Sequence, residues 1–393
     1  MSNPSRWSRP PGGPGGDWDP DDSDSPGAGP RGGPRTRGRI GGVVALVVAL
    51  VAGGLLVAYP RQDAPTAPAG RAEFATAWPG AQRAEMSGNV PDGPIFHPET
   101  FLDARTAVGT APSPDGTAVR LLIREAGDSA APREVRRRAL ATNPEFGAVT
   151  VAGDEMVWTE SADGEKVSIW AATTAGESVR RLTTDTGGAV FAGSQWDLVV
   201  ADGTVWWVAA ESSELTQVRS VSLGGGPVTV RDEPGAWALT SWPWLTDGTG
   251  DRTGTGVLRA LDSNREVRVP TTGTELVSCS PAWCRVMVLT SDGLARIDAM
   301  HPDGTARRRI AGSGARAGIY DVAVLDRFEV LSEPGPDSDL TGTEGLVVYD
   351  LAADRTVGIS TAAEGAFSRN GVLWWATGDQ DSLRWHTLDL RTV

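Results

Sequence analysis

Lysine is almost missing from this chain: of 36 basic residues only Lys166 is one, and the rest are arginine. Cysteine is held to two residues and histidine to three in a length of 393. So few soft or imidazole ligands leave little material for a metal centre. Positive charge is also in deficit, with a net charge of −14, which argues against a nucleic-acid partner. Outside one stretch there is no long apolar run, and no other segment sustains the 3.6-residue period of a sizeable helix. No G-x-S-x-G elbow, H-E-x-x-H pair, phosphate-binding loop or EF-hand loop occurs, which removes the enzyme classes that such motifs announce. What the chain has instead is 49 glycines, 27 prolines and 15 tryptophans, with 40% hydrophobic residues. That composition calls for many turns around a substantial core.

The one exception among apolar runs is residues 40–59, IGGVVALVVALVAGGLLVAY, which hold no charge. At about 1.5 Å per helical residue they span roughly 30 Å, the hydrocarbon thickness of a bilayer, so a transmembrane helix is predicted there. Residues 1–39 are Pro, Gly, Ser, Asp and Arg, a tail too polar to fold. Arg31, Arg35, Arg37 and Arg39 precede the span, while only Arg61 and Asp63 closely follow it. Positive charge stays on the cytoplasmic side, so the reading is a single-pass type II protein with its C-terminal part outside the cell membrane. A cleaved signal peptide is the alternative, against which Leu56 stands where a small residue would be needed before Ala58. Residues 60–77 read as a stalk, and 78–393 as the folded domain.

That domain is predicted to be all-β. Asp-Gly pairs at 115–116, 163–164, 202–203, 247–248, 292–293 and 303–304, with Asn370-Gly371, mark tight hairpin turns between short β-runs. Arginine-bearing runs recur near Arg136, Arg180, Arg231, Arg268, Arg308 and Arg355, roughly 40 to 50 residues apart, the length of a four-stranded propeller blade. Their phase makes them the outermost strand of each blade, where charge hinders edge-to-edge pairing between molecules. Blades at 95–143, 144–187, 188–234, 235–273, 274–314, 315–361 and 362–393 give a seven-bladed β-propeller, with six or eight blades as the alternatives. The seventh lacks an outer strand, which the segment around Arg83 is expected to supply, closing the ring.

Ser113-Pro114-Asp115-Gly116-Thr117 resembles the turn of the TolB-like and WD40-like propeller repeats of bacterial envelope proteins, and His301-Pro302-Asp303-Gly304-Thr305 looks like a worn form of it. Taken with the arginine-rich composition and the stalked anchor, the chain resembles membrane-anchored or secreted TolB-like proteins of Streptomyces and other actinobacteria. The resemblance would cover about 80–393. It implies a binding platform in the cell envelope, with no cofactor and no catalytic centre.

Cys279 and Cys284, the only cysteines, are read as a structural disulfide across a turn, with a metal site as the alternative. Trp158, Trp206, Trp207, Trp374 and Trp375 fall in second strands, where large rings fill the wedge between blades. Gln195, Trp196, Trp237, Tyr320 and Asp321 are the candidate binding residues at the channel mouth, suited to a peptide or glycan ligand or to an envelope protein, with packing between blades as the favoured competing reading of the rings. The functional expectation is a non-catalytic binding or scaffold protein. An extracytoplasmic hydrolase or lyase with its site at the same mouth is the alternative, and a sensor signalling through the tail is a third reading.

Overall fold

The computed structural model describes residues 70–127, 131–189, 191, 193–247, 254–379 and 381–393. The predicted tail and membrane span, residues 1–59, lie outside the described residues. Among the described residues no helix is long and apolar enough to cross a membrane.

The described chain is all-β and propeller-like, and its sheets follow one another in sequence order. After β1 (Ala72–Glu73), a one-turn helix α1 (Phe74–Ala77) and β2 (Arg83–Ser87), four-stranded units begin. The first is β3 (His97–Phe101), β4 (Thr106–Pro112), β5 (Ala118–Glu125) and β6 (Arg133–Ala139). The second comprises β7 (Glu145–Ala152), β8 (Glu155–Ser161), β9 (Ser168–Thr173) and β10 (Arg180–Thr183). The third is β11 (Val199–Ala201), β12 (Thr204–Ser212), β13 (Leu215–Ser222) and β14 (Thr229–Pro234). In the fourth, β15 (Ala238–Ser241), β16 (Trp244–Thr246), β17 (Val257–Ala260) and β18 (Glu266–Arg268) pair in turn. The fifth contains β19 (Glu275–Cys279), β20 (Cys284–Thr290), β21 (Gly293–Met300) and β22 (Arg308–Gly312).

The remaining strands form one eight-stranded sheet: β23 (Arg316–Ala317), β24 (Phe328–Glu333), β25 (Glu344–Asp350), β26 (Arg355–Arg369), β27 (Val372–Thr377) and β28 (Arg384–Asp389), with β2 and β1. A second short helix, α2 (Ser338–Thr341), precedes β25. Strand β26 divides this sheet. Its N-terminal half is the outer partner of β25, and its C-terminal half is the inner partner of β27. The sheet therefore holds a sixth unit and a seventh. β2 completes the seventh, antiparallel to β28 with Arg83 opposite Leu388 and Met86 opposite Trp385.

Turn chemistry explains the local folds. Asp202 and Gly203, joining β11 to β12, both take positive φ (50° and 70°), as do Asn370 and Gly371 between β26 and β27 (51° and 72°). That pairing defines the two-residue turn whose twist suits a hairpin. In the Ser113–Thr117 turn, Asp115 accepts from the Ser113 hydroxyl (2.5 Å), the Thr117 hydroxyl (2.8 Å) and the Thr117 amide (3.1 Å). Those donors hold its carboxyl down at about 2. Asp303 binds Thr305 in the same way, but that turn joins third to fourth strands, whereas Ser113–Thr117 joins second to third. The two share a turn and not a position in the repeat.

The core is distributed. Among the described residues, seven hydrophobic clusters each lie at the seam between consecutive units. Trp158 fills the seam of units one and two, and Trp207 that of two and three. Met86, Phe96, Phe101 and Trp374 join the seventh unit to the first, so the series returns to its start. Trp158, Trp207, Trp374 and Trp375 are all buried, as expected of wedge-filling rings. Cys279 and Cys284 face each other across the β19–β20 hairpin and are joined by a disulfide.

Two expectations need correction. The stalk does not extend to Ala77: β1 pairs in parallel with β26, Arg71 forms an ion pair with Glu333, and Phe74 packs edge-on to Trp78. Apolar side chains at Ala72 and Phe74 seat this segment on the sixth–seventh seam. The outer-strand arginines, moreover, do not simply display charge. Arg180 donates to the carbonyl of Leu223 (3.0 Å), Arg231 to that of Leu261 (2.9 Å), and Arg308 to that of Leu351. In each case the acceptor is the residue just after the third strand of the next unit. Arg133 makes a comparable bond to Ala175 (2.6 Å), just beyond β9. Arg136 grips Glu160 in bidentate fashion (2.8 and 3.1 Å) while lying 3.9 Å over the Trp170 ring. These arginines staple neighbouring units together.

Candidate functional site

The innermost strands surround a cavity of about 1200 Å³. Its wall draws His97 and Glu99 from β3, Trp237 and Thr240 beside and within β15, and Cys279 from β19. The stretch after β23 brings Tyr320 and Asp321, and β26 supplies Phe367, Ser368 and Arg369. Positions far apart in sequence meet here because each unit begins at the centre and works outward.

The third unit contributes differently. Ala189 bridges to Ala209, and Val199 sits opposite Trp206. The inner chain thus takes nine residues to pass a stretch that β12 passes in two. Ser194 and Gln195, within that excess, are caught by the sixth unit: the Ser194 hydroxyl donates to Asp321 Oδ1 (2.7 Å), and the Gln195 amide to Oδ2 (3.1 Å). Arg369 of the seventh unit reaches the carbonyls of Val149 (3.1 Å) and Gly193 (3.5 Å). Third, sixth and seventh units are thereby tied across the cavity.

Tyr320 is held by its backbone. Arg285 donates to the carbonyls of Ile319 (3.2 Å) and Tyr320 (2.7 Å) and pairs with Glu329 (2.7 Å). Both charged side chains are at most 4% exposed. Glu329 also accepts the Ala323 amide (2.9 Å), so the loop carrying Tyr320 hangs on a buried ion pair. The Tyr320 residue is itself 62% exposed, and Phe367 is 49% exposed.

Burial governs the titrating groups. It pushes Glu99 up to about 7, with Arg369 pulling the other way and Glu145 reinforcing the rise. Burial raises Asp321 too, against the opposing bonds from Ser194 and Gln195. Tyr320, although most of its surface is exposed, is raised by partial desolvation at the cavity and by the nearby carboxylates Asp197 and Asp321. His97 is lowered by burial. Among the described residues no three His, Cys, Asp or Glu side chains converge as metal ligands would.

Of the five residues predicted for the mouth, Trp237, Tyr320 and Asp321 line the cavity. Gln195 meets Asp321 through its backbone. Trp196 packs instead among Trp206, Trp237 and Trp242 on the third–fourth seam, where Trp206 and Trp242 lie 4.3 Å apart. Glu99, Phe367, Ser368 and Arg369 were not anticipated. The last three immediately precede the Asn370-Gly371 turn, which was itself a readable marker of an inner strand's end. Glu99 sits in HPETF, which carries no comparable signal.

Neither a protein-family profile nor a curated protein sequence matches the chain. Solved structures that resemble it include TolB from Acinetobacter baumannii, at 9% identity and a TM-score of 0.39, covering 68% of this chain. The match spans 65% of that TolB chain, short of two thirds of its length. An uncharacterized protein from Listeria monocytogenes is similar at 9% identity and a TM-score of 0.48, over 79% of this chain and 92% of that one. The β-propeller domain of the Trilobed protease from Pyrococcus furiosus gives 10% identity and 0.43, over 62% and 82%. At these values the fold rests on the strand pairing described above.

Proposed function

We propose that the chain is a membrane-tethered, TolB-like binding protein of the actinobacterial envelope, with a seven-bladed propeller displayed outside the membrane. In this reading residues 40–59 are the anchor and 1–39 the cytoplasmic tail. The observation that carries the binding role is the cavity of about 1200 Å³, walled by several blades and edged by two exposed aromatic rings. It is larger than the roughly 300–1,000 Å³ of ordinary small-ligand sites, and Trp237, Tyr320 and Asp321 are its recognition residues. The role is that of a rigid platform for an envelope protein, peptide or glycan.

A photo-crosslinking side chain placed at Tyr320 in intact cells tests this. A discrete product is expected from position 320 and not from Leu340, which is 87% exposed on α2. Equal labelling at both positions, or none at 320, would sink the binding role.

One observation favours the enzymatic alternative. A cavity carboxyl brought to about 7 has the acidity wanted of a general acid–base. A hydrolase or lyase of this kind would turn over its substrate and lose activity in Glu99→Gln.

A further inference from the structure

The half-buried tryptophans fall into two groups. Arg136 lies over the ring of Trp170 (3.9 Å), Arg259 over Trp237 (4.4 Å), Arg308 over Trp283 (5.0 Å) and Arg265 over Trp244 (5.9 Å). Trp196, Trp206 and Trp242 are covered by no guanidinium of a described residue. These three are not scattered, for all belong to the cluster at the third–fourth seam, around Val199, Val218, Leu239 and Leu245. Strand alternation sends Val205 and Trp207 of β12 to the second–third seam and Trp206 and Val208 to this one. Trp242 stands in the turn from β15 to β16, and its ring meets that of Trp206 at 4.3 Å and 33°. Trp206 follows closely on the Asp202-Gly203 turn, so both rings lie at the end of their units where first and second strands are joined. None of the three lines the cavity. Trp158, Trp170, Trp207, Trp237 and Trp385 each donate their indole N–H within the protein. The N–H groups of Trp196, Trp206 and Trp242 donate to no described residue, and none is sealed from solvent.

We propose that Trp206 and Trp242, flanked by Trp196, form a docking surface for a proline-rich segment of a partner protein, held as a polyproline II helix. The surface lies apart from the cavity, and the inference does not depend on the binding role assigned there. Its chemistry selects the occupant. An indole presents a flat apolar face and a polar group that donates and cannot accept. A proline-rich chain is the complement: its rings lie on aromatic faces, its carbonyls accept, and each proline lacks an N–H. A saccharide brings hydroxyl protons that need acceptors, which these three side chains lack. Preorganisation favours the same pairing. Trp206 and Trp242 already hold each other through their ring contact, and a polyproline II segment is formed before it binds, so little order remains to be imposed on a surface of three rings.

The test is fluorescence anisotropy of a labelled decaproline peptide titrated with the full chain in nanodiscs, where no free detergent competes for the aromatic rings. Decaproline is expected to bind and a Gly-Ser decapeptide not to. Trp206→Ala and Trp242→Ala are each expected to weaken binding by about tenfold or more. Trp206→Phe keeps a ring and removes the donor, and a several-fold loss with an unchanged circular dichroism spectrum separates a lost contact from a lost fold. Trp170→Ala, at a tryptophan that arginine already covers, should leave binding as it is. Failure of decaproline to bind, equal binding of the Gly-Ser peptide, or indifference to both Trp206→Ala and Trp242→Ala would overturn the proposal. Displacement of the peptide by maltotriose would overturn it too, by giving the surface to a saccharide. The crosslink from position 320 reports on the cavity, so either reading can fail without the other.

Discussion

Glu99 has its charge disfavoured by the wall it stands in, and this has a consequence for stability against pH. Its folded value is about 7 against an ordinary 4.5. Between those values the folded chain holds the proton more tightly than the unfolded one, so stability falls as pH rises from about 4.5 to 7 and is level above. Glu99→Gln removes that loss. Its melting temperature should match the parent's near pH 4.5 and exceed it at pH 8, by at most roughly 3 kcal/mol of stability. A difference that does not grow with pH would contradict the assignment. At this scale the sequence was readable where chemistry is local. Asp115 and Asp303 each bind a threonine two positions on, so their turns could be named from five residues. Glu99 was not readable, because its environment is made chiefly by burial in the cavity wall, with Arg369 and Glu145 of other units acting on it in opposite directions.

At the scale of elements, the arginine staples give the outer strands their meaning. Arg180, Arg231 and Arg308 act 43, 30 and 43 residues downstream. Each bond to a carbonyl contributes about 1 kcal/mol, and the three occupy separate seams, so their effects should add. The triple replacement by alanine is expected to lower unfolding free energy by about 3 kcal/mol without changing the denaturant slope. A loss no greater than that of one replacement would show that the bonds are surface ornament. The recurrence of arginine gave the blade length from sequence. The partners were hidden because a main-chain carbonyl has no letter of its own and belongs to the neighbouring unit.

For the whole molecule the decisive contact is β2 on β28. Met86 is buried there and shares a cluster with Phe96, Phe101 and Trp374. A chain starting at Gly70 should fold as a monomer. One starting at Asn89 leaves the edge of β28 unpaired and opens the seventh–first seam, and it should associate or aggregate. Size-exclusion chromatography of the two distinguishes these outcomes, and a monomeric, equally stable shorter chain would refute closure by this strand.

Sequence by itself determined the strand class, the hairpin turns, the repeat length and the borrowed closing strand, and left the cysteine pair between a disulfide and a metal site, which the structure resolves as a disulfide. These follow from periodicity, backbone preference and a tally of missing strands, all properties of neighbouring residues. Only the tertiary structure decided which of the candidate residues line the cavity and what stands beside them. Whether Trp196 faces the cavity or a seam, and whether Ser194 crosses to Asp321 127 residues away, depends on how seven wedge-shaped cores set the strands around one axis. Packing between units fixes that arrangement, and no local pattern encodes it.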